Sequence, residues 1–288
     1  MSLTPSQIDA PTPRTVAFQG VPGAYSHQAC REVFPDAEAT ACKTFEAAIE
    51  AVRTGTADRA MLPVENSTYG RVADIHQLLP DSGLTIVGEH FVRVHINLLG
   101  LPGAQIEDIK TARSHTVLLG QCRRFLRERG LTPVTGADTA GSAEDILVAG
   151  DPTAGALASE LAAETYGLTV LARHIEDNTS NTTRFLVMAA SGDPAPRNGE
   201  ELITSFVFQV RNIPAALYKA MGGFATNGVN MVKLESYMVG GSFTATQFYA
   251  DIVGHPDDPP VARALDELAF FTTDLRILGV YRADQSRG

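Results

Sequence analysis

Cysteine is scarce and poorly arranged for cross-linking. Three occur in 288 residues, Cys30, Cys42 and Cys122, and no Cys-x-x-Cys appears. An odd number at wide spacing excludes a disulfide framework or a zinc ribbon as the organising device. It reads as buried or semi-buried thiols in a reducing compartment. An excess of positive charge is missing too: 23 Lys and Arg against 33 Asp and Glu give a formal net charge of −10. That balance argues against non-specific nucleic-acid binding, which needs a basic face. It leaves room for an anionic small substrate, because a few Arg and His residues suffice for a locally positive pocket. No apolar run approaches the length needed to cross a bilayer, so no membrane partner is expected. The opening MSLTPSQIDAPTPR lacks a basic start followed by an apolar run. It does not read as a secretory signal, and the expected address is the cytoplasm. GxSxG, HExxH and Walker A are all absent, and no metal site is expected.

What is present reads as an α/β chain in two parts. The length exceeds one compact core of ordinary size. Prolines near the start predict an extended, disordered tail over residues 1–13. Thr15–Phe18 is a short strand, broken by Gly20, Pro22 and Gly23, with a helix from Ser26 to about Val33. Phe45–Val52 is an amphipathic helix ending at Gly55, and Arg59–Val64 a buried strand. This alternation predicts a sheet of parallel strands. A crossing strand within Leu84–Gly100 leads to a second cycle. It comprises a helix over 118–129, a strand at Thr132–Val134, a helix over 140–148 and a strand at 154–158 running into Glu160–Tyr166. Val170–Ala172 and Thr183–Met188 are further strands. Two cycles joined by crossing strands imply two lobes with a ligand cleft between them, over residues 14–190. The turn-rich SGDPAPRNGE at 191–200 reads as a linker. Residues 201–283 follow the order βαββαβ, a ferredoxin-like pattern, with a hairpin expected at Gly240-Gly241.

Three segments carry chemistry in order: VAFQGVPGAYSHQA, PVENSTYGRV and NTTRFLVM. Ser114-His115, Gly120-Gln121-Cys122, Thr139–Ala143 and Ala158-Ser159-Glu160 stand between the second and the third. By itself the glycine loop Gly20–Ser26 reads either as a tight turn or as an anion cradle at a helix start. Taken together, the set resembles the prephenate dehydratase family over roughly residues 15–282. The expected architecture is therefore a two-lobed, periplasmic-binding-protein-like α/β domain followed by a ferredoxin-like ACT domain.

The resemblance implies conversion of prephenate to phenylpyruvate, with loss of water and carbon dioxide and without metal or organic cofactor. The substrate is a dianion with an allylic hydroxyl, so the site must hold it and donate a hydrogen bond to the departing oxygen. The family assigns catalysis to Thr183. Its hydroxyl is too weak an acid to act alone near neutral pH and is read as that hydrogen-bond donor. Arg184 is expected to clamp a substrate carboxylate and Phe185 to wall the ring site, with Thr182 beside them. Asn66 and Ser67 offer neutral donors at the end of a strand. Glu65 is expected either to orient Arg184 or to hold a proton at a raised pKa. A plain turn with a local cap is the competing reading of Glu65–Thr68. Ala24, Tyr25 and Ser26 are expected to line the cleft from a helix start, and His115 to reach it from the second lobe. His27 is read as structural.

The resemblance of the last domain implies an effector site for L-phenylalanine at a subunit interface. Ala215-Ala216-Leu217 stands where the family has Gly-Ala-Leu, and Glu235-Ser236-Tyr237-Met238 where it has Glu-Ser-Arg-Pro. Asn230 is a further expected contact. The open sheet edge favours a homodimer or homotetramer. Two other functions remain open: the same chemistry on arogenate, and a bilobal small-molecule sensor without chemistry.

Overall fold

The computed structural model describes residues 12–238 and 245–287. The expected tail, up to residue 11, and the expected Gly240-Gly241 turn lie outside the described residues.

The chain opens with β1 (Thr15–Gln19), α1 (Tyr25–Val33), β2 (Glu38–Cys42), α2 (Phe45–Arg53) and β3 (Arg59–Asn66). β4 (Gly70–Arg71), α3 (Ala73–Leu78) and β5 (Thr85–Arg93) complete the first pass through lobe one. Lobe two runs through β6 (Asn97–Gly100), β7 (Thr111–Ser114), α4 (Thr116–Gln121), α5 (Arg123–Arg129) and β8 (Thr132–Thr135). It continues with α6 (Thr139–Ala149), β9 (Ala154–Ala158), α7 (Glu160–Tyr166) and β10 (Thr169–Ala172), after which β11 (Thr182–Ala189) returns to lobe one. The last domain is β12 (Leu202–Val210), α8 (Ala216–Thr226), β13 (Met231–Met238), β14 (Ala245–Val253), α9 (Pro259–Phe271) and β15 (Thr272–Arg282).

The first sheet has the order β2-β1-β3-β11-β5, with β4 on β3. Here the sequence expectation needs correcting. β1, β2 and β3 are parallel, but β11 is antiparallel to both β3 and β5. The reason is connectivity. β11 enters from the other lobe, so its direction is set by the crossing and not by a βαβ step. The second sheet, β10-β6-β9-β7-β8, is mixed as well. The helix expected over 118–129 is two helices broken at Cys122, where Asp177 accepts from the Arg124 N–H and caps the second one.

The two lobes touch directly beside the glycine loop. Ser159 Oγ donates to the Gly23 carbonyl at 2.6 Å and Tyr166 to that of Pro22 at 3.0 Å. Gly23 has φ +86°, and a Cβ there would lie 2.8 Å from Ala162 Cα of α7. Its glycine is required by close approach between lobes.

Residues 191–200 hold no helix or strand, and the Ala195 N–H is fixed to Val280 O. Beyond them, the sheet β13-β14-β12-β15 has two covered faces. One buries Phe206, Phe208, Phe248 and Ile252 under α8 and α9. The other places Ile203, Val207, Tyr249 and Tyr281 in one core with Leu62, Ile75, Leu186 and Met188 of lobe one. The close crossing of β15 over β5 needs Gly279, where a Cβ would lie 2.1 Å from Ile86 O.

The C-terminal segment is fastened to lobe one by His90, which lies between Glu32 of α1 at 2.7 Å and Asp284 at 3.6 Å. Burial alone would lower the His90 pKa, but the hydrogen bonds and charges of Asp284 and Glu32 outweigh it and raise it to about 9. A raised histidine stabilises the fold fully below its unfolded pKa, roughly 6.5, and loses that contribution as pH rises through the folded value. The expected contribution is roughly 3 kcal/mol. Resistance of the wild type to urea should therefore fall as pH rises from roughly 6.5 through about 9. His90→Gln should flatten that slope. An equal slope in the two proteins would remove His90 as its source.

Candidate active site

Two adjacent ladder pairs build the site. β11 pairs β3 with Thr183 opposite Asn66 and Arg184 opposite Glu65, just before a shift of register. Neighbours along a strand face opposite sides, while partners across a ladder share a side. Asn66 and Thr183 therefore face one way, and Glu65 and Arg184 the other.

On the first side, Asn66 Nδ2 donates to Thr183 Oγ1 at 3.0 Å and to Asn181 Oδ1 at 2.7 Å. Asn181 Nδ2 then donates to Gln121 Oε1 at 2.9 Å, across to the end of α4 in lobe two. The chain Thr183–Asn66–Asn181–Gln121 thus runs from lobe one to lobe two. Its orientation is fixed, because Asn66 Oδ1 accepts the N–H groups of Thr68 and Tyr69, each at 3.0 Å. Asn66 is therefore both the cap of a turn and an aimed amide. Ser67 donates to Ser180 O and accepts the Thr182 N–H, so it clamps the crossing segment. The Thr182 hydroxyl turns back onto Ser180 O. Tyr69 also bridges the lobes, its hydroxyl on Val117 O at 3.2 Å.

Gln121 and Asn181 belong to this chain, although the sequence reading named neither as a site residue. Both are buried. The sequence signal was present for Gln121 in Gly120-Gln121-Cys122, and for Asn181 as the residue before Thr182-Thr183. Buried amides with polar partners on another lobe are the feature that singles them out.

Two expectations change and a third is narrowed. Arg184 is not in the cleft. Its side chain is 2% exposed, with Nε on Glu89 at 2.7 Å. Nη1 meets Glu65 at 2.9 Å and Asp251 at 2.7 Å, and Nη2 meets Tyr281 Oη at 2.9 Å. Burial opposes its charge, but Asp251, Tyr281 and Glu89 outweigh that and hold its pKa well above the ordinary value. A guanidinium so engaged is a docking element between lobe one and the last domain. Of the two readings of Glu65, its contact with Arg184 favours orientation over proton holding. Burial raises its pKa, but Arg184 and Lys233 outweigh burial and hold it below the usual carboxylate value. Phe185 walls no ring site, for it sits 1% exposed in the core with Phe18, Cys30 and Val187 under α1.

The remaining residues are spread more widely. Ala24 is the N-cap residue of α1 without a side-chain cap, and Ser26 is buried in the first turn. Tyr25 donates to His95 O at 2.8 Å, and its hydroxyl pKa is raised well above 10, chiefly by burial. His27 stacks on Phe18 and accepts the Gly23 N–H. His115 caps α4, its Nδ1 accepting from the Val117 N–H at 3.3 Å. Among the described residues no group of three or more His, Cys, Asp or Glu is placed to hold a metal ion, and no helix is long and apolar enough to cross a membrane.

Among the described residues, the two effector segments do not line one pocket. Ala215, Ala216 and Leu217 line a pocket of about 260 Å³ with Arg211 and Phe248. Glu235 instead pairs with Lys233 and Arg71, and the Ser236 carbonyl accepts from Arg71. Asn230 uses its carbonyl on the Val253 N–H. Ala215 has φ +62°, a left-handed conformation that costs a residue with a Cβ.

A bilobal α/β domain with a polar cleft, followed by an ACT-like domain, is the class that fold and site define. The model of the family "Prephenate dehydratase" matches residues 16–193. The chain belongs to the prephenate dehydratase family. It is 52% identical over 274 residues to a bifunctional N-acyl-homoserine lactone acylase/prephenate dehydratase of Komagataeibacter europaeus, covering 95% of this chain and 98% of that one. It is 38% identical over 286 residues to arogenate dehydratase/prephenate dehydratase 1 of Arabidopsis thaliana, covering 94% of this chain and 73% of that one. The structure of prephenate dehydratase from Arthrobacter aurescens in complex with L-Phe superposes with a TM-score of 0.86 at 33% identity, covering 94% of this chain and 90% of that one.

Two substitutions test these placements. Arg184→Met leaves Glu89 and Asp251 buried without their main cation and should cost about 3–5 kcal/mol of stability. A stable variant with only a raised KM would return Arg184 to the cleft. Ala215→Gly should relieve the left-handed strain by about 1–2 kcal/mol while adding about 0.5–1 kcal/mol of unfolded-state entropy. The expected outcome is a small rise in thermal midpoint, and a fall would refute the strain.

Proposed function

We propose that this protein is a prephenate dehydratase of L-phenylalanine biosynthesis, a hydro-lyase that works in the cytoplasm as a homo-oligomer. The observation that carries the reading is the amide–hydroxyl chain from Thr183 through Asn66 and Asn181 to Gln121. Thr183 Oγ1 accepts from Asn66, which leaves its own proton free to be donated into the cleft. There it meets the departing hydroxyl oxygen of prephenate. The C–O bond breaks as the C–C bond to the ring carboxylate breaks. The electron pair released with carbon dioxide completes the aromatic ring, and hydroxide leaves as water after taking a proton. The chain's work is orientation and hydrogen bonding to charge as it moves.

With Arg184 withdrawn and both Asn66 Nδ2 hydrogens committed to Thr183 and Asn181, the amides of Asn181 and Gln121 and the start of α1 at Ala24–Ser26 are the donors proposed for the substrate's carboxylates. His115 stands as a proposed contact from lobe two. L-phenylalanine is the proposed effector, bound where the Ala215–Leu217 pocket of one subunit meets Asn230, Glu235 and Ser236 of another. The Arthrobacter aurescens protein in its complex with L-Phe supports that reading.

Arogenate is the alternative substrate, supported by the Arabidopsis relative's double name. A second activity, hydrolysis of N-acyl-homoserine lactone amides, rests on the Komagataeibacter relative. The site favours the lyase. Among the described residues, neither Thr183 nor Ser67 is hydrogen-bonded to a histidine or carboxylate that would activate it as a nucleophile.

The test is turnover of prephenate and arogenate by the purified protein without added metal, with and without phenylalanine. Release of free acid from an acyl-homoserine lactone is measured in parallel. Phenylpyruvate formation is expected. Thr183→Ala should lower kcat roughly 10²–10³-fold, as for loss of one transition-state hydrogen bond, with KM within a few-fold. Near-normal kcat in that variant would remove Thr183 from catalysis. Acid release without lyase turnover would make the acylase the activity.

A further inference from the structure

We infer that Lys233 of β13 is a positioning residue for the cleft, holding Asn66 and Thr183 in place through Glu65. The kinetic arm of this inference rests on the dehydratase reading; the structural arm does not.

β3 ends at Asn66, in its last ladder pair with Thr183. A strand end is the least constrained part of a sheet, and here it carries the aimed amide. Besides its ladder pairs with β4 and β11, it is gripped by side chains from the other domain. Lys233 Nζ lies 2.5 Å from Glu65 Oε2 and 3.3 Å from Glu235 Oε1, and its side chain is only 9% exposed. Arg71, opposite Glu65 on the β4 side, holds the Ser236 carbonyl at 3.0 Å and pairs with Glu235. One strand of the last domain thus grips the β3–β4 turn on both sides of Asn66.

Arg184 cannot substitute for Lys233. Its Nη1 is shared between Glu65 and Asp251, and its other nitrogens face Glu89 and Tyr281. Without Lys233, the 30%-exposed Glu65 carboxylate keeps Arg184 on one oxygen but exchanges its other partner for water, and the strand end loses one of its side-chain tethers. Glu65 and Asn66 are consecutive, so a backbone shift at one displaces the other. A misplacement of about 1 Å at a reacting centre costs on the order of a hundredfold in rate. Lys233 also shares its strand with Glu235 and Ser236. A shift of β13 therefore reaches Asn66 through one ion pair.

The test uses the full chain. The side-chain amide signals of Asn66, assigned by their loss in Asn66→Asp, report its placement directly. Lys233→Met keeps the aliphatic stem and removes the charge. It should move or broaden those signals and lower kcat about tenfold or more, with a smaller effect on KM. Lys233→Arg should restore both. Glu65→Gln cuts the same link from the other side at constant volume and should move the signals likewise, so the question stays open to decision if Lys233→Met fails to fold. Arg276→Gln removes an exposed interdomain pair with Asp81 and should leave the Asn66 signals in place. Wild-type Asn66 signals in a folded Lys233→Met or Glu65→Gln protein overturn the inference. A wild-type protein that turns over neither prephenate nor arogenate overturns the dehydratase reading alone, and the Asn66 signals still decide this one.

Discussion

The Arg184 guanidinium lies out of water between two domains, and the packing around it follows from the need to satisfy it. Burying such a charge is costly unless its hydrogen bonds are met by partners held in place. The partners come from β3 (Glu65), β5 (Glu89), β14 (Asp251) and the end of β15 (Tyr281). Arg287 and Lys233 add cations on Glu89 and Glu65, so three carboxylates face three cations. Ser205 and Tyr249 meet the remaining oxygens around Asp251 and Tyr281. Such a cluster forms only when the last domain is seated on lobe one. Interdomain geometry is thus fixed by charge as well as by the shared apolar core.

The same strand serves the cleft. Thr183 and Arg184 are neighbours on β11, and their side chains leave it on opposite sides. What is a hydrogen-bonding surface for a ligand on one side is a docking surface for a domain on the other. The cleft carries neutral donors, amides and hydroxyls. The ionised groups of the motif are spent on assembly. A site of this kind acts by alignment and hydrogen bonding to moving charge, and it depends on how well its backbone is held.

Much of this was legible in the sequence. Short apolar and β-branched runs pointed to β3, β11 and β12, and the βαββαβ order to the last domain. The segments around Asn66 and Thr183 both stand out in the sequence, and the structure pairs them in one ladder. The role of Arg184 was not legible. Arginine beside a candidate catalytic residue looks like a carboxylate clamp until the strand's alternation shows that it points away. Phe185 follows from the same alternation: it leaves β11 on the Thr183 side, two residues further on, where that side is already the core under α1. Gln121 and Asn181 escaped because an amide becomes a site residue only through its partner, and here the partners lie 60 residues apart on different lobes. The parallel sheet was misjudged because periodicity identifies a strand but does not give its direction.

The charge cluster has a further consequence for folding. A strand that slips by one residue exchanges its two faces. For β11, a slip would turn Arg184 into the cleft and bury Thr183 against the last domain. Hydrophobic patterning opposes this weakly, because Phe185, Leu186, Val187 and Met188 are apolar on both faces. The ion cluster opposes it strongly, since a slip would strand Glu65, Glu89 and Asp251 without their common cation. Buried ion pairs often add little to net stability compared with apolar packing. Their value here lies in excluding one specific wrong register, the one that would remove Thr183 from the cleft.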